Sequence, residues 1–449
     1  MQYKSLIISN LAETYYQTYR KSDPTEAEKL IQSDILESDR AVFYANNSKI
    51  LITSLPLNHE FLEDVRRILS YEIINLYPHK YSESICKDIL DDKTLLNQIQ
   101  KIIRENPDIE IIPYYATSEF FELLTILKQN KLQFTTPETI SPKNRFIRDH
   151  YNCKVGFREL WERATDKDSF VKIPPGFIVN DLKEALDAAW WFYQKNTNFV
   201  FKYNRGTSGF GIVPYNISNL PNNEIEFKKY LTEKHNDKMW FEENFVVEEF
   251  IETNTSVYDR SPSIEFKING DLKHQYNCLQ RLREDNYFEG IIISKKIENY
   301  FNFDINRVVD SCKRFGEALI EQGYRGNFDI DLIIDKKHNV YAVESNLRRT
   351  GGTHIFETAT HLFGKNFQNK ISVFSRDNLP VKKEINNYSV FKEKISHLLF
   401  SKEKGEGVIP SIVSFLAIGT IGYMILAKDL NRLEMIEKEL FSVLTDPHE

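Results

Sequence analysis

Lys202, Arg205 and the glycines Gly206, Gly209 and Gly211 crowd into one stretch, Phe199-Val-Phe-Lys-Tyr-Asn-Arg-Gly-Thr-Ser-Gly-Phe-Gly-Ile-Val213. Glycine permits positive φ and lets a ligand approach the backbone closely. Successive free N–H groups in such a loop, here with Thr207 and Ser208 between the glycines, form an anion-binding concavity. Cations flanking those donors suit a polyphosphate. The order of residues excludes familiar alternatives. No Gly-Lys-Ser/Thr ends the loop, as a Walker loop requires. An apolar strand-like run follows it rather than a helix, unlike a dinucleotide fingerprint. Neither His-Arg-Asp nor Asp-Phe-Gly occurs, which argues against a protein kinase. The plain alternative is an ordinary flexible hairpin tip.

A second cluster lies downstream. Asn327-Phe-Asp-Ile-Asp-Leu-Ile-Ile-Asp335 alternates polar and apolar residues, so Asp329 and Asp331 share one face of a strand. Val340-Tyr-Ala-Val-Glu-Ser-Asn346 runs back after a turn near Lys337 and His338, which sets Glu344 almost opposite Asp331. Glu344 and Asn346 project from the same face. Asp331, Glu344 and Asn346 therefore converge as hard oxygen ligands, the kind that suits Mg²⁺, which shares its remaining positions with phosphates and water. The plain alternative is a row of solvated polar positions. Next comes Leu347-Arg-Arg-Thr-Gly-Gly-Thr-His354. Arg348 and Arg349 can fork onto carboxylate or phosphate oxygens, and Gly351 and Gly352 again allow backbone donors near an anion. His354 has the chemistry of an acid or base, although a histidine at a helix start is more often structural.

These residues need rigid elements to hold them. The chain has 449 residues, room for about three domains. Its 41% hydrophobic and 27% charged composition is ordinary for a globular protein, and 31 Phe with 23 Tyr allow large cores. A net charge of −7 gives no basic footprint for nucleic acid. Cys86, Cys153, Cys278 and Cys312 are far apart and form no CxxC, so a reducing cytoplasm fits best. The first residues carry no signal-peptide pattern. The uncharged run from Val408 to Ala427 is interrupted by Pro410, Gly419 and Gly422 and reads as two buried strands joined near Gly419.

In the first 150 residues strands and helices alternate, which implies a parallel sheet with helical cover. Ser5–Ile8, Ala41–Tyr44, Ile50–Ile52 and Ile109–Pro113 are the strand candidates, with helices near 61–74 and 120–127. No residue in this region announces chemistry. A helix over 144–163, a strand at Phe177–Val179 and a helix over 182–194 precede the glycine hairpin. Phe245-Val-Val-Glu-Glu-Phe-Ile251 is a strand carrying the adjacent carboxylates Glu248 and Glu249. Helices are expected over 307–322 and 429–444 from the spacing of their apolar residues.

In combination these features resemble the ATP-grasp carboxylate–amine ligases. The resemblance covers roughly 144–364 and rests on four features in the family's order. They are a lysine before Ile173-Pro-Pro-Gly176, the Lys202 strand with its glycine hairpin, the hinge segment ending at Ile251, and the pair Asp331 and Glu344-Ser-Asn346. The segment from Glu344 to His354 is most similar to the pheganomycin-type peptide ligases, which also carry an α/β domain ahead of the grasp. The implied fold class is α/β with an α+β grasp. The implied domains are a small N-terminal α/β pre-grasp domain over 1–142, an ATP-grasp domain over 143–370 and a C-terminal strand–helix extension over 371–449.

The resemblance also implies roles. Lys154 and Lys202 would be the nucleotide lysines, and the hairpin from Gly206 to Gly211 would close over the triphosphate. Glu248 would accept from the adenine amino group, with Phe250 or Ile251 giving the backbone hinge contact. Asp331, Glu344 and Asn346 would hold Mg²⁺ ions bridging the phosphates of ATP. Arg281 or Arg283 would face the reacting carboxylate. Two departures from the family pattern stand out: Asp329 occupies a position where related ligases often have Arg, and no clear acid follows the hinge for the ribose, Glu252 and Asp259 being weak candidates. Charge on the transferring phosphoryl group must then be met by Arg281, Arg283 or Arg348.

The expected chemistry is acyl activation: a carboxylate attacks the γ-phosphate, and an amine then attacks the acyl phosphate. Positioning and charge neutralisation suffice, so no Ser or Cys nucleophile is needed. The expected partners are a small-molecule carboxylate and amine, an amino acid or short peptide, with no nucleic acid and no membrane; a homodimer is left open. A kinase on the same scaffold and a non-catalytic nucleotide-binding module are the competing readings.

Overall fold

The computed structural model describes residues 2–21, 23–166, 168–205, 211–236, 239–253, 261–282 and 288–446. Four short apolar strands, β1 (Ser5–Ile8), β2 (Lys49–Ile52), β3 (Ile73–Leu76) and β4 (Glu110–Pro113), form the expected parallel sheet in the order β3-β2-β1-β4. Its central strands β1 and β2 are buried on both faces, which is why Leu6–Ile8 and Ile50–Ile52 read as continuous apolar runs. Helices His59–Leu69, Lys93–Glu105 and Ser118–Gln129 cover it.

Two helices at the front of this unit, Leu11–Tyr19 and Pro24–Leu36, are absent from the sequence reading. The second is well signalled, because Asp23 accepts from the N–H groups of Thr25 and Glu26 and Pro24 stands in the first turn. It runs directly into a 3₁₀ helix, Glu37–Phe43, where a strand at Ala41–Tyr44 is expected. A short, fully buried apolar run carries no period that separates strand from helix. Here the tertiary partners decide: Asp39 accepts from Ser414 N at 2.6 Å and Oγ at 2.9 Å.

A second sheet is antiparallel, with the order β6-β9-β7-β8 for β6 (Gly176–Val179), β7 (Phe199–Lys202), β8 (Ile212–Tyr215) and β9 (Phe245–Glu249). The largest sheet joins β5 (Val171–Lys172), β10 (Pro262–Asn269), β11 (Asp271–Leu282), β12 (Phe288–Ile293), β13 (Gly326–Ile334), β14 (Val340–Asn346), β15 (Ser372–Pro380), β16 (Gly407–Ile412) and β17 (Thr420–Ala427). Its order is β16-β17-β15-β12-β11-β10-β13-β14-β5, so the strands after residue 371 extend the sheet built before it. The run at 408–427 is the antiparallel pair β16 and β17, with Gly419 at φ +78° between them. No helix among the described residues is long and apolar enough to cross a membrane. All four cysteines are free and buried.

The expected helix over 144–163 is two helices, Arg145–Tyr151 and Lys154–Ala164. Asn204 causes the break: its carbonyl accepts from Lys154 N at 3.1 Å and its side chain from Val155 N at 3.0 Å. The interruption places Lys154 in the first turn of the second helix.

Glu138, in the connection between the first unit and the sheets, ties them together. It accepts from Lys267 at 2.6 Å, from Asn327 at 2.9 Å and from both Nε and Nη2 of Arg349. Burial works to raise this carboxyl, but Arg349 and Lys267 bring it down to about 2. A carboxyl depressed in the folded state contributes stability that is present above its unfolded pKa and lost as the pH falls through about 2. In urea unfolding, wild type should therefore lose about 3 kcal/mol between pH 4.5 and 2 that Glu138→Gln, already less stable at neutral pH, does not lose. Parallel pH slopes for the two proteins would remove this account.

Candidate active site

Lys202, Glu248, Asp331, Glu344, Asn346 and Arg348 line one cavity of 380 Å³ between the two sheets and the N-terminal helices. The hairpin β13–β14 supplies its floor. Asp331 pairs with Glu344 and Asp329 with Asn346 in the strand register, as the alternation of residues requires. Asn346 Nδ2 donates to Asp329 Oδ1 at 2.9 Å and to Asp331 Oδ2 at 3.2 Å, while its Oδ1 accepts from Arg348 Nη2 at 2.8 Å. Gln280 of β11 donates to Asp331 Oδ1 at 2.5 Å.

The electrostatics are those of a site with excess negative charge. Burial, with Asp329 and Glu344 nearby, pushes the Asp331 carboxyl well above the usual range. Burial and Glu265 do the same to Asp329. Burial brings Glu265 itself up to about 8. Glu344 differs. Burial would raise it, but Lys154 at 2.7 Å, with Lys202 and Arg348 beyond, holds it below its ordinary value.

Among the described residues, no group of three or more His, Cys, Asp or Glu side chains is arranged as a metal cage. The donor set is two carboxylates and an amide. That fits Mg²⁺, which binds one or two carboxylates and takes the rest of its shell from phosphates and water. The crowding of Asp329, Asp331 and Glu265 is what a divalent cation would relieve.

Lys202 ends β7 with its Nζ 2.5 Å from Glu248 Oε1, and Arg158 Nη2 lies 2.8 Å from the other oxygen. The hairpin of β7 and β8 forms as expected. Its tip, with Gly206, Thr207, Ser208 and Gly209, lies outside the described residues. Gly211 takes φ +75°, and a Cβ there would come within 2.6 Å of Tyr203 Cβ. At the end of β9, Glu249 N donates to Pro175 O at 2.8 Å and Phe250 N to Asn198 O at 2.9 Å. Of the two hinge candidates, Ile251 alone has an N–H without a partner among the described residues.

The fold of the chain recurs in solved structures. Biotin carboxylase from Campylobacter jejuni, solved as a β-γ-ATP complex, superposes with a TM-score of 0.58 at 13% identity, covering 98% of this chain and 91% of that one. The biotin carboxylase domain of 2-oxoglutarate carboxylase from Hydrogenobacter thermophilus, solved with MgADP and bicarbonate, gives 0.54 at 13% identity over 99% and 91%. The chain has the ATP-grasp fold. In sequence, it is 26% identical over 155 residues to L-propargylglycine–L-glutamate ligase of Streptantibioticus cattleyicolor, matching 31% of this chain and 32% of that protein. The chain thus spans about a third of the length of that curated relative. No family model matches it.

Within this ATP-grasp framework several sequence expectations need correcting. Arg281 does not face the cavity. Gln280 and Leu282 line it, and Arg281, between them, turns to the other face, with Nη1 2.8 and 2.7 Å from the Glu437 oxygens and its guanidinium 4.7 Å from the Phe374 ring. Arg283 lies outside the described residues. Arg349 is 1% exposed and held by Glu138 and Glu357 over the Tyr44 ring. It is a structural cation rather than a catalytic one. His354 is fully buried outside the cavity, and burial together with Arg40 keeps its ring well below its ordinary pKa. A neutral, enclosed imidazole cannot exchange protons with a ligand in the cavity. Arg205 pairs with Glu243 at 2.8 Å and is not among the lining residues.

The sequence reading also missed residues that the cavity includes. Glu265 and Gln280 come from the inner face of β10 and β11, and strand alternation could have found them. Tyr15, Asp34, Arg40, Tyr114 and Asp377 come from the N-terminal unit and from β15. Gly352 is explained here too, since a Cβ on it would sit 2.4 Å from the Tyr276 hydroxyl.

Proposed function

We propose that this ATP-grasp chain is an ADP- and phosphate-forming carboxylate–amine ligase that works through an acyl phosphate on its carboxylate substrate. The observation that carries the proposal is the single cavity in which the Lys202 hairpin faces the Asp331–Glu344 hairpin. Residues 1–142 serve as the pre-grasp domain, 143–370 as the nucleotide and metal domain, and 371–449 as the extension.

In this reading Lys154 and Lys202 exchange their partners Glu344 and Glu248 for phosphate oxygens of ATP. Ile251 gives the hinge N–H, and Glu248 accepts from the adenine amino group. Asp331 and Glu344, with Asn346, hold Mg²⁺, which neutralises phosphate charge when bound. Of the arginines expected from the sequence, Arg281 and Arg349 face away, and Arg348 meets the reacting groups. The substrate carboxylate oxygen forms a bond to the γ-phosphorus as the β–γ bridging bond breaks. An amine then forms the C–N bond as the acyl phosphate C–O bond breaks, and the amine's proton leaves with phosphate. The chain's own contribution is to orient, to neutralise charge and to exclude water. The two amino acids in that relative's name, L-propargylglycine and L-glutamate, support amino acids as the substrate class.

The test is phosphate release by the full chain with ATP, Mg²⁺ and paired panels of carboxylates and amines. Release that requires both partners, with a condensed product, is the expected result. A phosphorylated substrate, or nucleotide binding with no turnover across the panels, would overturn the proposal.

A further inference from the structure

Beyond Arg348 the cavity continues into a compartment that the nucleotide and cation roles leave unused. Its walls include Asp34 on the helix Pro24–Leu36, Glu37 and Arg40 on the 3₁₀ turn that follows, and Asp377 on β15. Arg40 is buried between two of these acids: its Nη1 donates to Asp377 Oδ2 at 3.1 Å and its Nη2 meets Glu37. Three acids against one arginine leave a surplus of negative charge.

The unmet polar atoms outline what is missing. Asp34 Oδ2 and Asp377 Oδ1 are buried without a hydrogen-bond partner, and so is Arg348 Nε. Tyr114, 7% exposed, lines the same space, and its hydroxyl makes no hydrogen bond among the described residues. Buried polar atoms are nearly always paired. An unmet donor on a cation and unmet acceptors on two acids therefore fit a ligand with a negative and a positive end. Two tyrosines of the cavity wall link the two ends. The Arg348 guanidinium lies 5.6 Å from the Tyr15 ring, the Tyr15 and Tyr19 rings are 6.0 Å apart, and Tyr19 hydrogen-bonds to Asp34.

We infer that this compartment binds the free α-ammonium of an amino acid whose carboxylate is turned toward Arg348. Asp34 and Asp377 accept from the ammonium, which has three donors to place, and Arg348 donates to the carboxylate. Leu11 and Phe415 give the side chain an apolar wall. The inference deepens the ligase reading and rests on it for which end reacts. Acids around an amine favour its protonated form, the wrong direction for a nucleophile, so this ammonium is a spectator. The amino acid bound here is the one activated at its carboxylate, and the attacking amine belongs to the other substrate.

Calorimetry on the full chain, loaded with Mg²⁺ and a non-hydrolysable ATP analogue, tests this. The titrants are the common L-amino acids, then the des-amino and N-acetyl derivatives of those that bind. At least one amino acid should bind, with both derivatives weaker by about 10–100-fold, the value of a lost charge-assisted hydrogen bond. Asp34→Asn should weaken the amino acid by a similar factor and leave the nucleotide analogue's affinity unchanged, which also reports that the variant is folded; Asp377→Asn is the second variant. Equal affinity for the des-amino acid, no binding of any amino acid, or unchanged affinity in both variants would overturn the inference. Amino-acid binding as described without ADP formation from ATP would leave the inference standing and remove the ligase reading. ADP formed equally well with des-amino acids would do the reverse.

Discussion

Replacing Glu344 by Gln should lower amine-dependent phosphate release about 10³-fold, at the upper end of what one electrostatic group contributes to a preorganised site. Gln keeps the size of the side chain and a hydrogen bond to Lys154, 2.7 Å away, so the expected loss of stability is only about 1 kcal/mol. The substitution also separates two roles that a static view leaves merged. If Glu344 is a ligand for a divalent cation, the variant binds nucleotide more weakly than wild type when Mg²⁺ is present. If its only task is to neutralise Lys154, the variant has one more free cation and binds nucleotide more tightly in both Mg²⁺ and EDTA. Titrating ATP in each condition reads the sign directly. Turnover within about threefold of wild type would end the metal assignment.

What could be read from the sequence, and what could not, follows from how far each inference had to reach. The hairpin of β13 and β14 was legible because side chains alternate with a period of two and a tight turn fixes the register. Asp331 and Glu344 face each other for that reason, with His338 at φ +62° in the turn. The helices 182–194 and 429–444 were legible from apolar spacing, and the structure has them at Leu182–Gln194 and Leu430–Leu444. Arg281 was misplaced because a resemblance transfers a residue type without its face. The polar residue that points inward is Gln280, on the face shared by Cys278 and Leu282, and a count of two along the strand puts Arg281 on the other. Arg349 was misplaced because two adjacent arginines in a turn cannot be told apart by type. Their partners, Glu138 and Glu357 for one and Asn346 for the other, exist only in the folded chain. The substrate end was invisible for a stronger reason. Asp34 and Arg40 reach the cavity from more than 280 residues before Asn346 and Arg348, by way of a sheet contact that no local pattern encodes.

Arg348→Ala should lower turnover about 10²–10³-fold at saturating ATP, equivalent to about 2.7–4 kcal/mol of lost charge stabilisation. The side chain is held for such a role. Its Nη2 donates to Asn346 at 2.8 Å and its Nη1 to the Arg349 carbonyl at 3.1 Å, while its guanidinium lies 5.6 Å from the rings of both Tyr15 and Tyr114. Its charge is secure, since Tyr114, Tyr15, Asp329 and Glu344 outweigh the opposing effect of burial. Arg348→Lys should recover little of the loss. An ammonium is a point charge, and it cannot hold Asn346 and reach into the cavity at the same time. Two readouts then separate a reacting-group contact from a packing role. A contact with the activated carboxylate raises KM for that substrate and lowers kcat together, with the KM for ATP nearly unchanged. A packing role, acting through the displaced Tyr15 and Tyr114 rings, lowers the melting temperature and is largely rescued by Lys, which keeps the cation between the rings. Rescue by Lys to within threefold of wild type would therefore remove Arg348 from the chemistry and leave Arg283 as the cation to test next.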